Sequence, residues 1–365
     1  MDPVLVTGAF GQIGKRCTEI LLSRGRTVIA SDLRNDTSAA AAEELAGQGH
    51  PGRLITAYAD LLDAEEIRAM VTEHKPQAIV HLAGMFSPAS YRNPRLARKI
   101  NVTGTENIVK AAQTLDEAPL LLLASSAAVY GSRNPYKYPE LITPQTPPNP
   151  IDQYGEDKVL AEGVIRDSGL PYAVLRLAGV ISPDGLATAD SGHLVLVRSM
   201  PRDNRIHTVD ARDVALAFAN AVDRADSVNG KVLLIAGDES HRHLNRDLED
   251  DMMTALGIGR LGPSASLPGD PDDDRGWSFT GWFDTTESQA LLDFQRYTWP
   301  ETVRLITESQ GRLRPVLQVL GPVLRPGMRL ALAVQRRIEK RGKYADPWEL
   351  IGRKFGPDVL APTDF

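Results

Sequence analysis

The sequence predicts an α/β fold: a doubly wound parallel sheet, a smaller C-terminal substrate-binding part and a helical C-terminal extension. Three observations predict it. Short apolar runs of β-forming residues alternate with helical patterns as far as Ile235. The first run, Val4-Leu5-Val6-Thr7, breaks at once into glycines 8, 11 and 14. Small or polar residues able to touch a ligand close one strand after another, at the edge where open parallel sheets hold theirs.

Taken in order, Val4–Thr7 is the first strand, and Ile13, Cys17, Ile20 and Leu21 recur at helical spacing after the glycines. Such a turn lets backbone approach a pyrophosphate and aims the free N–H groups of a helix start at it. The glycines alone also fit a purely structural βα turn. Thr27–Ser31 is the second strand and ends in Asp32, 18 residues after Gly14. An acid there accepts from both adenosine ribose hydroxyls and favours NAD over NADP. Arg34 is the counter-signal, because an arginine can hold a 2′-phosphate. Residues 35–52 read as an exposed helix and loop. Leu54–Ala59 is the third strand, closed by Asp60-Leu61; Asp60 can meet the adenine amino group, cap the helix starting near Ala64, or do both.

Ala78–Gly84 is the fourth strand, apolar as a doubly covered strand should be. His81 reads as a packed strand residue, and Ala83 and Gly84 are small where the chain passes the cofactor. A long helix runs from about Pro94 to Leu115. Leu120–Ala124 is the fifth strand and ends in Ser125-Ser126. Residues 132–150, rich in proline and tyrosine, form a loop over the site. The next helix carries Tyr154 and Lys158, four apart and so on one face. Tyr172–Leu177 is the sixth strand. Val180–Arg205 reads as irregular, Asp210–Ala225 as helix, Lys231–Ile235 as strand and Asp247–Leu256 as helix. Residues 257–283 form a loop, and a helix follows over Asp284–Phe294.

Ser126, Tyr154 and Lys158 make a second constellation. A tyrosine hydroxyl titrates near 10 and is a poor base at neutrality. A lysine ammonium one turn away, with an oxidised nicotinamide, stabilises the phenolate. Lysine can also hold the nicotinamide ribose, and a serine at the end of the fifth strand can bond the reacting oxygen. These groups suit hydride transfer at an alcohol or carbonyl carbon.

With these residues in view, the chain resembles the extended short-chain dehydrogenase/reductase family, the NAD-dependent epimerase/dehydratase group. The matching stretches are Thr7–Gly14, Asp32, Asp60-Leu61, His81–Gly84, Asn101–Thr105, Ser125–Gly131, Tyr154–Lys158 and the late helix with Ala290, Leu291 and Phe294. The resemblance covers roughly residues 3–295. It implies Tyr154 as base, Lys158 as its partner and Ser126, three before Val129, as the third member. It implies cofactor contacts at Gly8, Phe10, Gly11, Gln12, Ile13, Gly14, Asp32, Asp60, Leu61, Leu82, Ala83, Gly84, Tyr154 and Lys158, with Asn101 mainly structural. The organisation that follows is a Rossmann-type NAD-binding domain over residues 1–180, with 207–236 adding to it. Residues 181–206 and 237–300 form the substrate-binding part, and residues 301–365 the extension.

Departures from the family pattern bear on substrate. Arg176-Leu177-Ala178-Gly179 lacks the asparagine usual in nucleotide-sugar epimerases, Val180–His207 is short for a nucleotide-diphosphate pocket, and Arg205 is displaced by a residue from the usual arginine. These favour net oxidation or reduction of a smaller or more lipophilic molecule. An NAD-retaining sugar or nucleotide-sugar epimerase or dehydratase is the alternative.

Composition bounds the rest. The chain has 365 residues and a net charge of −6, which does not suggest nucleic acid as a partner. The balance is uneven, with 12 Lys/Arg against 7 Asp/Glu in 301–365, leaving −11 on the first 300 residues. One cysteine, Cys17, excludes an internal disulfide framework and a cysteine-based zinc site. A first strand near residue 4 leaves no room for a signal peptide, no run is long enough to span a membrane, and a cytoplasmic protein is expected. No metal is expected: His241 and His243 read as solvated loop residues, and Asp270, Asp272, Asp273 and Asp274 as a solvated charge run. In the extension, an apolar stretch 316–324 is interrupted by Gly321, Pro322 and Pro326, and a basic amphipathic helix follows over Met328–Arg341. Packing on the core or on a second subunit, as a homodimer, is the leading reading. Contact with a membrane surface is the second, and a disordered tail is opposed by Trp348 and Phe355.

Overall fold

The structure, a computed structural model, describes residues 3–279 and 281–360. Its centre is a seven-stranded parallel sheet in the order β3-β2-β1-β4-β5-β6-β9. The strands are β1 (Val4–Thr7), β2 (Thr27–Asp32), β3 (Arg53–Tyr58), β4 (Ala78–His81), β5 (Leu120–Ser126), β6 (Tyr172–Leu177) and β9 (Lys231–Ile235). β1 lies between β2 and β4, with Val4 in register with Val28 on one side and Ala78 on the other. The chain order reverses at β1, so the switch point opens beyond the carboxyl ends of β1 and β4.

Alternation along the strands divides the core in two. Val4, Val6, Val28, Ala30, Val80 and Leu122 pack on one face with Leu21 and Leu22 of α1 (Gln12–Ser23). Leu5, Ile29, Ile79, Leu121 and Leu123 pack on the other, against α3 (Ala64–His74) and α4. α2 is Asp36–Gly47. The expected single helix 94–115 is α4, which ends at Ala112 and is built in three parts: α over Pro94–Arg98, π over Lys99–Thr103, and α over Gly104–Ala112. The wide turn is set by Asn101, whose amide side chain clamps both backbone groups of Met85 (2.8 and 2.9 Å). α5 (Gln153–Arg166) is capped by Asp152, which accepts from the Gly155 N–H.

Three other expectations are corrected. Val180–Arg205 is ordered: β7 (Gly179–Ile181), a helical turn Pro183–Ala187 and α6 (Ser191–Ser199), started by an Asp190 capping box. β7 joins β8 (Arg205–Asp210) and β10 (Arg242–Leu244) in a second sheet, order β10-β8-β7, so the segment is closed at its two ends by the β7–β8 pairing. His241 and His243 are buried rather than solvated, because Trp299 stacks on His243 (4.5 Å) and Thr208 Oγ1 bonds both rings. The extension's apolar stretch is not broken at its prolines: α11 runs unbroken over Leu313–Ile338. Gly321 sits so close to Ile258 O that a Cβ would be 2.7 Å away, and the two prolines take two backbone donors from a 26-residue helix without ending it.

Between these lie α7 (Ala211–Asp223), α8 (Asn245–Ala255), α9 (Thr286–Leu292) and α10 (Trp299–Ser309). α12 (Pro347–Phe355) folds back so that Trp348 and Ile351 form a small core with Tyr91. Among the described residues no helix is long and apolar enough to cross a membrane, and no cluster of side chains has the makings of a metal site.

Candidate functional site

A cleft of about 680 Å³ opens at the switch point. It is lined by Gly8, Gly11, Gln12, Ile13 and Gly14 from the turn, and by Asp32, Asp60, Leu61, Leu82, Ala83 and Gly84 from the ends of β2, β3 and β4. Ser126, Tyr154 and Lys158 line the same cleft. Of the residues expected at the site, only Phe10 is not part of the wall. Its ring lies 6.3 Å from that of Tyr58, and its N–H donates to Asp32 Oδ2 (3.2 Å).

The glycine turn is built by close approach. Gly8 has φ +66°, and a Cβ on Gly14 would lie 2.0 Å from Gly8 O. A Cβ on Gly11 would meet only Gly8 O, at 3.4 Å, with nothing else near on the cleft side. No side chain caps α1, so its first-turn N–H groups are left to a ligand. Asp32 is steadied by the N–H groups of Phe10 and Leu33, one on each oxygen (3.2 and 2.8 Å). Each oxygen keeps a lone pair for a ribose hydroxyl. Arg34 lies over the Tyr58 ring (5.6 Å). Asp60 does not cap α3; Asp63 does, accepting from Glu65 and Glu66, while Asp60 accepts from Leu62 N–H. The glycine turn, the uncapped helix end and the ribose acceptor together fit a dinucleotide.

His81 lies wholly inside the sheet, between Thr7 Oγ1 (2.8 Å) and Thr105 Oγ1 (3.1 Å). Burial, and then the Lys158 charge, push its pKa down to about 3. It is a neutral strap between β1, β4 and α4, as the strand reading expected.

The two serines of β5 have different duties. Ser125 donates to Glu162 Oε1 (2.5 Å), which with Oε2 holds the Arg176 guanidinium (2.9 and 2.7 Å). Arg176 also donates to Tyr130 (2.8 Å), and the network is closed in the core. Ser126 faces the cleft beside Tyr154 and accepts from Ala128 N–H (3.1 Å). Burial pushes the Tyr154 hydroxyl up to about 12; the Ser126 hydroxyl opposes this, and the Asp152 and Asp157 charges add to it. Lys158 donates to Ala124 O (2.8 Å), with its ammonium 6.0 Å from the Tyr154 ring. Burial pushes it down to about 8, against the pull of Asp157 and Glu162.

α5 is itself anchored. Tyr91 donates to Asp152 (2.5 Å), and Arg98 and Gln153 hold Asp157 (2.5 and 2.8 Å). Further apolar wall comes from Met85 and Phe86 after β4, Val180 in β7, Leu196 and Phe279. Leu196 and Phe279 lie in the expected substrate-binding part, and none of the five carries a motif. Only the Asp190 cap before an apolar run could have marked the helix that carries Leu196. Arg205 is not among the lining residues; it donates to Pro139 O (2.8 Å) and lies over Trp282. A second cavity of about 190 Å³ adjoins the cleft at Ser126, Leu177 and Phe279.

The model of the NAD dependent epimerase/dehydratase family matches residues 4–236. Among curated relatives, UDP-arabinose 4-epimerase 1 of Arabidopsis thaliana is 33% identical over 190 residues, 50% of this chain and 43% of that protein. UDP-glucose 4-epimerase of Mycolicibacterium smegmatis is 33% identical over 159 residues, 43% of this chain and 48% of that one. The chain thus spans less than half the length of these curated relatives. Among solved structures, a UDP-glucose 4-epimerase of Stenotrophomonas maltophila with bound NAD and formylated UDP-arabinopyranose superposes with a TM-score of 0.68 at 20% identity, over 87% of this chain and all of that one. A Thermus thermophilus UDP-glucose 4-epimerase with NAD gives 0.66 at 23% identity, over 85% and 99%. At these identities the superpositions show the fold.

Proposed function

The chain belongs to the NAD dependent epimerase/dehydratase family, and from that premise we propose that it is a cytoplasmic NAD-dependent oxidoreductase. It transfers hydride at an alcohol or carbonyl carbon of a small or lipophilic molecule. The observation that carries this is one cleft lined by both the Gly8–Gly14 turn and the Ser126, Tyr154, Lys158 group. In the oxidising direction Tyr154 takes the substrate hydroxyl proton. Ser126 holds the reacting oxygen beside it, and Lys158 supplies positive charge and binds the ribose. Gly8, Gly11 and Gly14 let backbone N–H groups reach the pyrophosphate, Asp32 accepts from the ribose, and Asp60 faces the adenine end. NAD, when bound, supplies the hydride acceptor and a positive ring. The preference for NAD over NADP rests on Asp32, since Arg34 is turned onto Tyr58. The apolar wall of Met85, Phe86, Val180, Leu196 and Phe279 supports a lipophilic substrate.

A second reading, an NAD-retaining epimerase or dehydratase acting on a sugar or nucleotide sugar, is favoured by the activities of the named relatives. Incubation with candidate substrates and excess NAD separates the two. NADH accumulating with product supports the first; turnover without net NADH refutes it in favour of the second. Tyr154→Phe should keep NAD binding and lose roughly a hundredfold or more of turnover. Full activity in that variant refutes both.

A further inference from the structure

We propose that α11 is a membrane-surface helix, binding the protein peripherally to anionic lipid. At 1.5 Å per residue its 26 residues make a rod about 39 Å long. Only Gly321 on it is buried. Val319, Val323, Leu330 and Ile338 are 79, 77, 66 and 75% exposed, and Leu313 and Val316 more than half exposed. Such a stripe is large for a surface turned only to water.

The charge says what covers it. From Ser309 to Ile338 there are six arginines and no aspartate or glutamate. Arg314, Arg329 and Arg336 donate to the carbonyls of Ala255, Leu261 and Ala265. These three lie on the side turned to the body of the protein, whereas the exposed Arg312 and Arg337 share the face of the apolar stripe by helical spacing. Two copies of the chain joined along this stripe would set like-charged helices together with no acid in the segment to pair them. Anionic headgroups pair the exposed Arg312, Arg337 and Lys340 while the acyl boundary takes the valines and leucines. The helix is not apolar enough to cross, so it lies on the surface.

The stripe continues toward the cleft. Just past Ile338, Glu339 pairs with Arg198 (3.0 Å) and Arg341 donates to Arg198 O (2.8 Å), at the end of α6. α6 exposes Leu194 and Val197 and sends Leu196 into the cleft wall. Membrane attachment would therefore bring the apolar end of the site to the lipid. This last step rests on the proposed lipophilic substrate; the binding itself does not.

The test is co-sedimentation of the full chain with vesicles of phosphatidylcholine alone and with phosphatidylglycerol added, at low and high salt. Binding should require phosphatidylglycerol, weaken with salt, and fall roughly tenfold or more in Val319→Asp/Val323→Asp and in Arg337→Glu/Lys340→Glu. All four positions are exposed, so thermal unfolding should be unchanged. Three results overturn the proposal: no binding to either vesicle, binding by both variants as strong as the parent's, or a solution dimer that Val319→Asp/Val323→Asp converts to monomer. Vesicle binding is read without turnover, so its failure and failure of the proposed activity are told apart.

Discussion

Gly11 and Gly14 offer a paired perturbation that separates ligand approach from chain packing. A methyl at Gly14 would lie 2.0 Å from Gly8 O and 2.8 Å from Ala9 Cα, both backbone atoms that cannot rotate away. Gly14→Ala must shift the turn itself, and overpacking of this kind costs about 1–3 kcal/mol. A methyl at Gly11 meets only Gly8 O at 3.4 Å, an ordinary contact, and the backbone there (φ −74°, ψ 173°) suits alanine. Gly11→Ala should leave stability within about 1 kcal/mol, the usual cost of alanine at a helix N-cap. Yet its methyl stands where the pyrophosphate must approach. Loss of one or two N–H contacts to an anion, at about 1.5–3 kcal/mol each, weakens NAD binding roughly tenfold to a hundredfold or more. Thermal unfolding and calorimetric titration with NAD read the two effects separately. The reasoning is refuted if Gly11→Ala binds NAD like the parent, or if it loses as much stability as Gly14→Ala.

Three further outcomes follow from named contacts. Asp32→Ser removes the charged ribose acceptor and should weaken NAD roughly tenfold to a hundredfold while narrowing the gap to NADP, as titration with both cofactors would read. Glu162→Ala strands the buried Arg176 guanidinium and should destabilise by about 3–5 kcal/mol in denaturant unfolding, against a smaller loss for Glu162→Gln, which keeps an acceptor. Burial pushes Asp152 up to about 7 from the usual 3.8, so the fold binds a proton there that the unfolded chain releases. The stability this contributes is present in full below about pH 4 and is lost as pH rises through 7. Asp152→Asn should remove that slope, and parallel unfolding curves for parent and variant between pH 4 and 8 would refute the assignment.

What was legible in the sequence was what is local. Strand, glycine turn and helix occupy twenty consecutive residues, Asp32 ends the next strand, and Tyr154 and Lys158 need only helical spacing to share a face. What was not legible depends on distant partners. His241 and His243 sit in a polar stretch, and only Trp299 and Thr208, remote in sequence, make that stretch interior. β7 has three residues and little pattern of its own; it is a strand because β8 lies beside it. Asp60 and Asp63 are equivalent as sequence, and only the direction of entry into α3 makes Asp63 the cap. The prolines of α11 are read locally as breaks, yet each removes one backbone donor and the 26-residue helix runs through both. The apolar half of the cleft is of the same kind, since Met85, Leu196 and Phe279 converge from three separate segments.

The same distinction applies to the chemistry. Spacing put Lys158 beside Tyr154, but only burial sets their proton affinities, and it sets them against catalysis. With Tyr154 near 12 and Lys158 near 8, the tyrosine holds its proton more tightly than the lysine does. The useful pair, phenolate beside ammonium, is therefore disfavoured by burial at both residues. Ser126 opposes the rise at Tyr154. Positive charge on a cofactor held by the Gly8–Gly14 turn would oppose the same burial, so the proposed role of Tyr154 as base is tied to that turn being occupied.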